Sequence, residues 1–195
     1  MRNALRIAPV LVLFGLLTAC RLDYTGGARP VAPQQLDAGW HKAAPTPVVL
    51  QEKQMDCGLA ALAMLAGAWG QRWTLAELQR EQPPGDKGVK LGALRDLARA
   101  RGLEAFAVKG TPADLEHELA NHRPVVLGLL LPFEQRRALA HYEVAIAYNP
   151  RDGSVVTQDP ATGKLMVRSK QVLEQEWKPA GYATLVVTGA RTASR

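Results

Sequence analysis

Three residues far apart in the sequence, Cys57, His141 and Asp159, are of the types that serve together as nucleophile, base and orienting group. Cys57 comes directly before Gly58 and a run of small apolar residues, and this pattern predicts that it begins a helix. In the first turn of a helix, unpaired backbone N–H groups and the positive end of the helix dipole favour a thiolate, the reactive form of cysteine. Gly58 adds no side chain beside the sulfur, so a substrate backbone could approach. These features predict a nucleophilic cysteine.

His141 is the best candidate among the four histidines for the base that a nucleophilic cysteine requires. His41 lies in a segment rich in proline and glycine. His117 and His122 lie in a charged helical stretch and in the loop after it, where a solvated surface position is expected. His141 opens a predicted strand, so its ring could project from a sheet edge into a cleft.

A predicted β-hairpin brings Asp159 towards His141. Residues 149–153 have the composition of a turn, so Glu143 is expected to face Asp159 on the returning strand. His141 then lies diagonally across from Asp159, at roughly 7–8 Å between the backbones. A carboxylate there could accept a hydrogen bond from the imidazole and fix its tautomer. A slip of one residue would move Asp159 to the other face of the hairpin.

Two glutamines, Gln51 and Gln54, precede Cys57 and could stabilise the oxyanion that develops in acyl transfer. A side-chain amide just before the helix, together with the backbone N–H of Cys57, would form such an oxyanion hole. The spacing does not decide between the two glutamines.

The elements that must position these residues are mainly helices in the first half of the domain and strands in the second. Helices are predicted over residues 57–69, 74–81, 89–101, 111–121 and 169–177, and strands over 103–108, 124–131, 141–148, 154–158, 164–167 and 182–187. The continuous apolar run 124–131 is typical of a strand that is buried on both faces, whereas residues 132–140 are predicted to form a polar connection. The order of elements predicts an α+β domain in two layers with an antiparallel sheet.

The first residues have the composition of a bacterial lipoprotein signal. Arg2 and Arg6 precede an apolar run that is too short to span a bilayer, and the sequence LTAC that ends at Cys20 fits a lipobox. We therefore predict a signal peptide over residues 1–19, a lipid on Cys20 and a flexible tether over 20–47, before one domain over 48–195. Arg21 after the cysteine favours the outer membrane, with the domain facing the periplasm.

Composition and motifs argue against several other classes of protein. The 24 lysines and arginines exceed the 18 acidic residues by only 6, without a basic stripe between aromatics, so no nucleic-acid partner is expected. No glycine-rich phosphate loop indicates ATP, and no spacing of cysteine and histidine suits zinc, so neither a cofactor nor a metal is predicted. If Cys20 carries a lipid, Cys57 is the only remaining thiol and no intramolecular disulfide can form.

The sequence resembles the double-glycine peptidases, which are papain-like, bacteriocin-processing cysteine endopeptidases, together with their stand-alone relatives. The resemblance covers roughly residues 48–187. It rests on QEKQMDCG at 51–58, on the small-residue helix that ends with Trp69 and Gly70, and on HYEVAIAYNPRDGSVVTQDPATG from His141 onwards. It implies a papain-like fold, with a helical lobe that presents Cys57 and an antiparallel sheet lobe that presents the base and its acid. It also assigns the oxyanion role to Gln51.

The resemblance implies a cysteine endopeptidase that cleaves a peptide or protein through a triad of Cys57, His141 and Asp159. Many members of the family are domains of peptide-exporting ATPases, whereas this chain looks lipidated outside the cytoplasm. Glu143 is also an acid on the predicted face of His141, where an apolar residue is expected. A periplasmic peptide or protein is therefore the predicted substrate. Two alternatives fit the same residues: a binding module on a peptidase fold that captures a peptide or partner without cutting it, and a thioester-forming acyl transferase.

Overall fold

The structure of the protein is a computed structural model, and it describes residues 27–133 and 137–190. The predicted signal peptide and Cys20 lie outside these residues. The helices are α1 (Cys57–Gly67), α2 (Leu75–Glu81), α3 (Leu91–Ala100), α4 (Pro112–Ala120) and α5 (Lys170–Trp177). The strands are β1 (Arg29–Pro30), β2 (His41–Lys42), β3 (Leu103–Lys109), β4 (Val125–Phe133), β5 (Arg137–Tyr148), β6 (Val155–Gln158), β7 (Leu165–Arg168) and β8 (Ala183–Ala190). No described helix has the length and apolar composition that a bilayer span requires.

The described strands form one antiparallel sheet in the order β1-β7-β6-β5-β4-β8-β3, and β2 also pairs with β5. Alternate residues of the central strands point to opposite faces. Val126 and Val144 pack with α1, α2 and α3 on one face. Val125, Leu127 and Ala145 pack with α4 and α5 on the other. The α+β class with an antiparallel sheet is therefore confirmed, but helices cover both faces of the sheet instead of forming the two layers predicted.

Helix α1 is the central element of the helical side, and every residue from Cys57 to Ala66 is buried. A helix that is apolar all round belongs inside a protein, and its small side chains let neighbouring elements approach closely. It packs against β5, the strand that carries His141. The N-terminal end of a rigid, buried helix therefore lies beside the sheet, and the position of Cys57 is fixed by the core.

The connection predicted over residues 132–140 is wrong, because most of it belongs to a long hairpin of β4 and β5. β4 runs to Phe133 and β5 begins at Arg137. The two strands pair without a break from Val125 opposite Ala145 to Phe133 opposite Arg137. His141 consequently lies inside β5, opposite Leu129, and does not open a strand. The side chains of Pro132, Ala138 and Ala140 are exposed, so this part of the strand has no apolar pattern that would predict it. It is maintained by backbone hydrogen bonds to the paired strand.

The N-terminal strap, which we define as residues 27–47, packs against the sheet. β1 pairs with β7 and β2 pairs with β5, and the side chains of Ala28 and Leu36 are buried. The flexible tether predicted over 20–47 therefore does not hold for residues 27–47. The two strands are only two residues long and take all their partners from the domain, so the strap carries no periodicity of its own in the sequence.

Candidate active site

Cys57 is the first residue of α1 and follows a 3-10 turn, Gln54–Asp56. The buried carboxylate of Asp56 accepts a hydrogen bond from the backbone N–H of Lys53 at 2.8 Å, and this bond closes the turn. Cys57 forms no disulfide within the described residues. The predicted helix start is therefore present, and Asp56 explains how the chain is held as it enters the helix.

His141 and Asp159 are in direct contact. His141 Nε2 lies 2.7 Å from Asp159 Oδ1, and both residues are buried. The backbone N–H of Ala161 donates to Oδ1 at 2.8 Å, and the Thr162 hydroxyl donates to Oδ2 at 2.7 Å. The turn after β6 thus fixes the carboxylate, and the carboxylate fixes the imidazole.

A β-bulge sets the register that makes this contact possible. Next to the turn, Tyr148 pairs with Val155, but the register shifts between Ala145 and Ala147, so that Val144 pairs with Gln158. Continuing from that pair, Glu143 comes opposite Asp159, and His141 shares its face because the side-chain period is two. Without the extra residue at the bulge, Asp159 would lie opposite residue 144 and would face away from His141.

The Cys57 side chain lies near enough to the His141 ring to raise the pKa of the ring. Because Asp159 engages Nε2, the ring nitrogen left for the sulfur is Nδ1. Cys57 and His141 both line one cleft of about 300 Å³. The structure therefore brings together the three residues that were singled out as nucleophile, base and orienting acid.

Charges around His141 favour its protonated form. Burial by itself would lower the pKa of the ring, but the hydrogen bond with Asp159, the contact with Cys57 and the charge of Glu143 together raise it to about 10. Burial pushes the pKa of Asp159 upwards, but the bond to His141 and those from Ala161 and Thr162 outweigh it and keep this pKa below its ordinary value. The surroundings of the proposed base therefore favour an imidazolium at this position.

The walls of the cleft are mostly apolar or small. Gly128, Ala140 and Ala183 lie along it, and its charged side chains within the described residues, apart from the His141 ring, are Lys87 and Lys90. A Cβ on Gly128 would lie only 3.0 Å from that of Ala183, so glycine permits the close approach of the two strands.

Gly58 does not have the role that the sequence suggested. A Cβ at this position would lie 3.1 Å from Tyr142 Cδ2 and 3.2 Å from Leu94 Cδ1. Gly58 is buried between these two side chains, so it lets α1 pack closely against β5 and α3 instead of opening a path for substrate.

The two glutamines lie in different places. Gln54 lines the cleft with Cys57. Gln51 does not line it, but its backbone N–H donates to the carbonyl of Pro160 at 2.9 Å, next to Asp159. The side-chain Oε1 of Gln51 is buried without a hydrogen-bond partner in the described part of the chain.

A buried ion network that was not predicted from the sequence lies behind His141. Arg168 binds both carboxylate oxygens of Glu143 at 2.8 Å and the Glu176 carboxylate at 2.5 Å. The Thr157 hydroxyl also contacts Glu143 and Arg168. The only signal in the sequence was Glu143 itself, an acid where an apolar residue was expected. This network explains how an acid is accommodated there.

Ligand atoms of His141, Glu143 and Asp159 lie within 4.8 Å of one another, a spacing that a metal ion could also use. Both oxygens of Glu143 are already bound by Arg168, so the geometry favours an ion network over a metal site. His117 and His122 are exposed and do not line the cleft.

The sequence is similar to a known peptidase family and to two bacterial processing proteins. The sequence model of the peptidase C39 family matches residues 45–190. The chain is 26% identical over 140 residues to the probable microcin-H47 secretion/processing ATP-binding protein MchF of Escherichia coli. It is 30% identical over 138 residues to the pediocin PA-1 transport/processing ATP-binding protein PedD of Pediococcus acidilactici. These matches cover 72% and 71% of this chain but only 18% of either relative.

Among solved structures, the fold is similar to a double glycine motif protease from an AMS/PCAT transporter in complex with the leader peptide. The TM-score is 0.61 at 18% sequence identity, and the similarity covers 76% of this chain and 95% of that one. The papain-like fold predicted from the resemblance is therefore confirmed.

Proposed function

Because this chain belongs to the peptidase C39 family, we propose that it is a cysteine peptidase in which Cys57, His141 and Asp159 form the catalytic triad. The observation that carries the proposal is the arrangement of these three side chains. The buried His141 ring is bound by Asp159 at 2.7 Å, and it lines the same cleft as Cys57 at the start of α1.

In the first half of the proposed reaction, the thiolate of Cys57 attacks the carbonyl carbon of a peptide bond. The oxyanion that forms receives hydrogen bonds from the backbone N–H of Cys57 and from a glutamine side-chain amide, a role that the family resemblance assigns to Gln51 although Gln54 lines the cleft. The imidazolium of His141 then gives its Nδ1 proton to the leaving amine, and the C–N bond breaks. A thioester between Cys57 and the acyl part of the substrate remains.

In the second half, His141 acts as a base. Its neutral Nδ1 takes a proton from a water molecule, the hydroxide attacks the thioester, and the carboxylic acid product leaves as the thiolate–imidazolium pair re-forms. Asp159 holds Nε2–H throughout, so that Nδ1 faces the sulfur in both halves.

The proposed substrate is a peptide or protein of the periplasm, and the proposed location is the outer membrane, with a lipid on Cys20. The support for a peptide substrate is that the structural relative was solved with a leader peptide and that two sequence relatives are named as processing proteins. The support for the location is the lipobox and Arg21 in the sequence. The two sequence relatives are much longer transport proteins, and cleavage after a Gly-Gly leader is not part of the proposal.

The first prediction tests the chemistry directly. Cys57→Ala removes the nucleophile, so hydrolysis of a broad panel of peptides, including Gly-Gly sequences, should fall to the rate in buffer alone. Mass spectrometry of the wild type with substrate should detect an acyl adduct on Cys57. Equal turnover by the wild type and Cys57→Ala would refute the proposal. If the wild type joined the acyl group to an added amine instead of releasing an acid, the acyl transferase alternative would replace hydrolysis.

A further inference from the structure

The buried ion network behind His141 has no part in the reaction described above, and it lies next to the proposed base. We propose that Glu143, held by Arg168, is a positioning residue that keeps the His141 ring directed at Cys57 as an imidazolium. This proposal rests on the proposed function of His141, and its test below separates the two.

The geometry places Glu143 beside the ring without a direct hydrogen bond to it. Glu143 Oε1 lies 4.0 Å from His141 Nε2, on the same side as Asp159. The single proton on Nε2 is directed to Asp159 at 2.7 Å, so Glu143 acts on the ring through its charge. The two residues are two positions apart on β5 and therefore share a face of the sheet.

The network fixes the Glu143 carboxylate firmly. The Arg168 guanidinium forms a two-pronged pair with it, with both N–O distances at 2.8 Å. Glu143, Arg168 and Glu176 are each no more than 2% exposed, so water does not screen their charges. A paired guanidinium and carboxylate in such a site hold a defined geometry, which a lone buried acid would not.

The balance of charge explains why the network favours an imidazolium. Two carboxylates lie next to the ring: Asp159 is hydrogen-bonded to Nε2, and Glu143 Oε1 lies 4.0 Å from the same nitrogen. A protonated ring places a positive charge beside these two acids, whereas a neutral ring does not. The ring is also held with Nε2 towards the two nearest acids, so Nδ1 faces Cys57.

Other charged groups near the ring do not replace Glu143. On the α1 side the ring meets Cys57, and on the β6 side it meets Asp159. Lys87 and Lys90 line the same cleft and carry the opposite charge. Tyr142 lies beside His141 on β5 and lines the cleft as well. Besides Asp159, Glu143 is therefore the acid that favours the protonated ring.

The test compares Glu143→Gln with Glu176→Gln in the full chain. Each variant removes one of the two carboxylates that bind Arg168 and keeps the shape of the side chain. Of the two, Glu143 is the one that lies beside His141. We expect Glu143→Gln to lower the pKa of His141, so the basic limb of the profile of kcat/KM against pH should move down by about one pH unit or more. It should also lower kcat more than it raises KM. In Glu176→Gln the basic limb should stay in place.

Two further measurements keep the proposal testable if hydrolysis is not observed. The rate at which iodoacetamide alkylates Cys57, measured against pH, and the NMR titration of the His141 ring both report on the pair without any substrate. If Cys57→Ala and the wild type hydrolyse peptides equally, the proposed function fails, but a shifted titration in Glu143→Gln would still support the positioning role. If Glu143→Gln and Glu176→Gln have the same effect on both readouts, Glu143 is only structural and the proposal is refuted.

A conservative variant separates charge from folding. Glu143→Asp keeps the charge and can still pair with Arg168, so it should retain the basic limb of the wild type even if its melting temperature falls. Should Glu143→Gln fail to fold by circular dichroism, Glu143→Asp and Arg168→Lys carry the test through the same titration. If the basic limb of Glu143→Asp moved as far as that of Glu143→Gln, the proposal would also be refuted.

Discussion

At the scale of single residues, Cys57, His141 and Asp159 differ from an ordinary buried cluster because each is held by several neighbours. Asp159 accepts bonds from Ala161 and Thr162 besides its bond with the ring, and Cys57 is fixed by the helix that it begins. Preorganised groups of this kind are what catalysis requires, since they need no rearrangement at the moment of reaction. The residue types in the sequence were sufficient to select all three.

Single substitutions can decide whether Gln51 or Gln54 donates a hydrogen bond to the oxyanion. If Gln51 is the donor, Gln51→Ala should lower kcat by roughly 100- to 1,000-fold, because a preorganised donor to the oxyanion is lost. Gln54→Ala, the matched control from the same segment, should then change kcat far less and act mainly on KM, since Gln54 lines the cleft. Steady-state kinetics of both variants decide the matter, and the opposite ranking would assign the role to Gln54.

At the scale of elements, α1 is held between the sheet and the N-terminal strap. Gly58 sits against Tyr142 and Leu94 at one end of the helix. Gly67, at the other end, lies under Pro47 of the strap, where a Cβ would be only 2.3 Å from the proline Cδ. Both glycines therefore permit close packing of a helix whose first residue is the proposed nucleophile.

The packing of the strap on α1 leads to a prediction about Gly67. Alanine is normally the better helix former, but Gly67→Ala would force the rigid Pro47 ring to move, so we expect a loss of about 1–3 kcal/mol in the free energy of unfolding. Gly92→Ala is the control, because the nearest atom to its Cβ would be the flexible end of Arg95 at 3.9 Å. Thermal denaturation should show a lower melting temperature for Gly67→Ala only. Equal melting temperatures would mean that the strap does not press on α1.

At the scale of the whole molecule, the strap connects the proposed membrane anchor to the core. β1 and β2 pair with the sheet, and the backbone N–H of Gly27 donates to Glu176 Oε1 at 3.0 Å, at the edge of the ion network. If Cys20 carries the lipid, only the residues from Cys20 to Gly27 join the membrane to the ordered strap. An extended chain of that length reaches at most about 25 Å, so the domain would stay close to the membrane surface.

The anchor itself can be tested in cells. We expect the wild type to fractionate with the outer membrane and to carry acyl chains on an N-terminal Cys20, as measured by mass spectrometry of the mature protein. Cys20→Ala should lack these acyl chains and should keep its peptidase activity, since Cys20 is not one of the residues of the proposed triad. An N-terminus without acyl chains in the wild type would contradict the lipoprotein prediction.

Features that depend on local pattern could be predicted from the amino-acid sequence. The small apolar run predicted α1 and the cysteine at its start, and the turn at 149–153 predicted the hairpin that carries His141. These features were accessible because helix caps, turns and periodicity are set by neighbours within a few residues. The family resemblance added the papain-like arrangement and the choice of Gln51.

Features that depend on distant partners are visible only in the folded protein. The bulge between Ala145 and Ala147 sets which face Asp159 occupies, and a shift of one residue cannot be read from composition. The acid at Glu143 is matched by Arg168, 25 positions along the chain, and the strap takes its strand partners from β5 and β7. In each case the stabilising contact joins residues that only the folded chain brings together, so the physical reason lies in packing and charge compensation across the core.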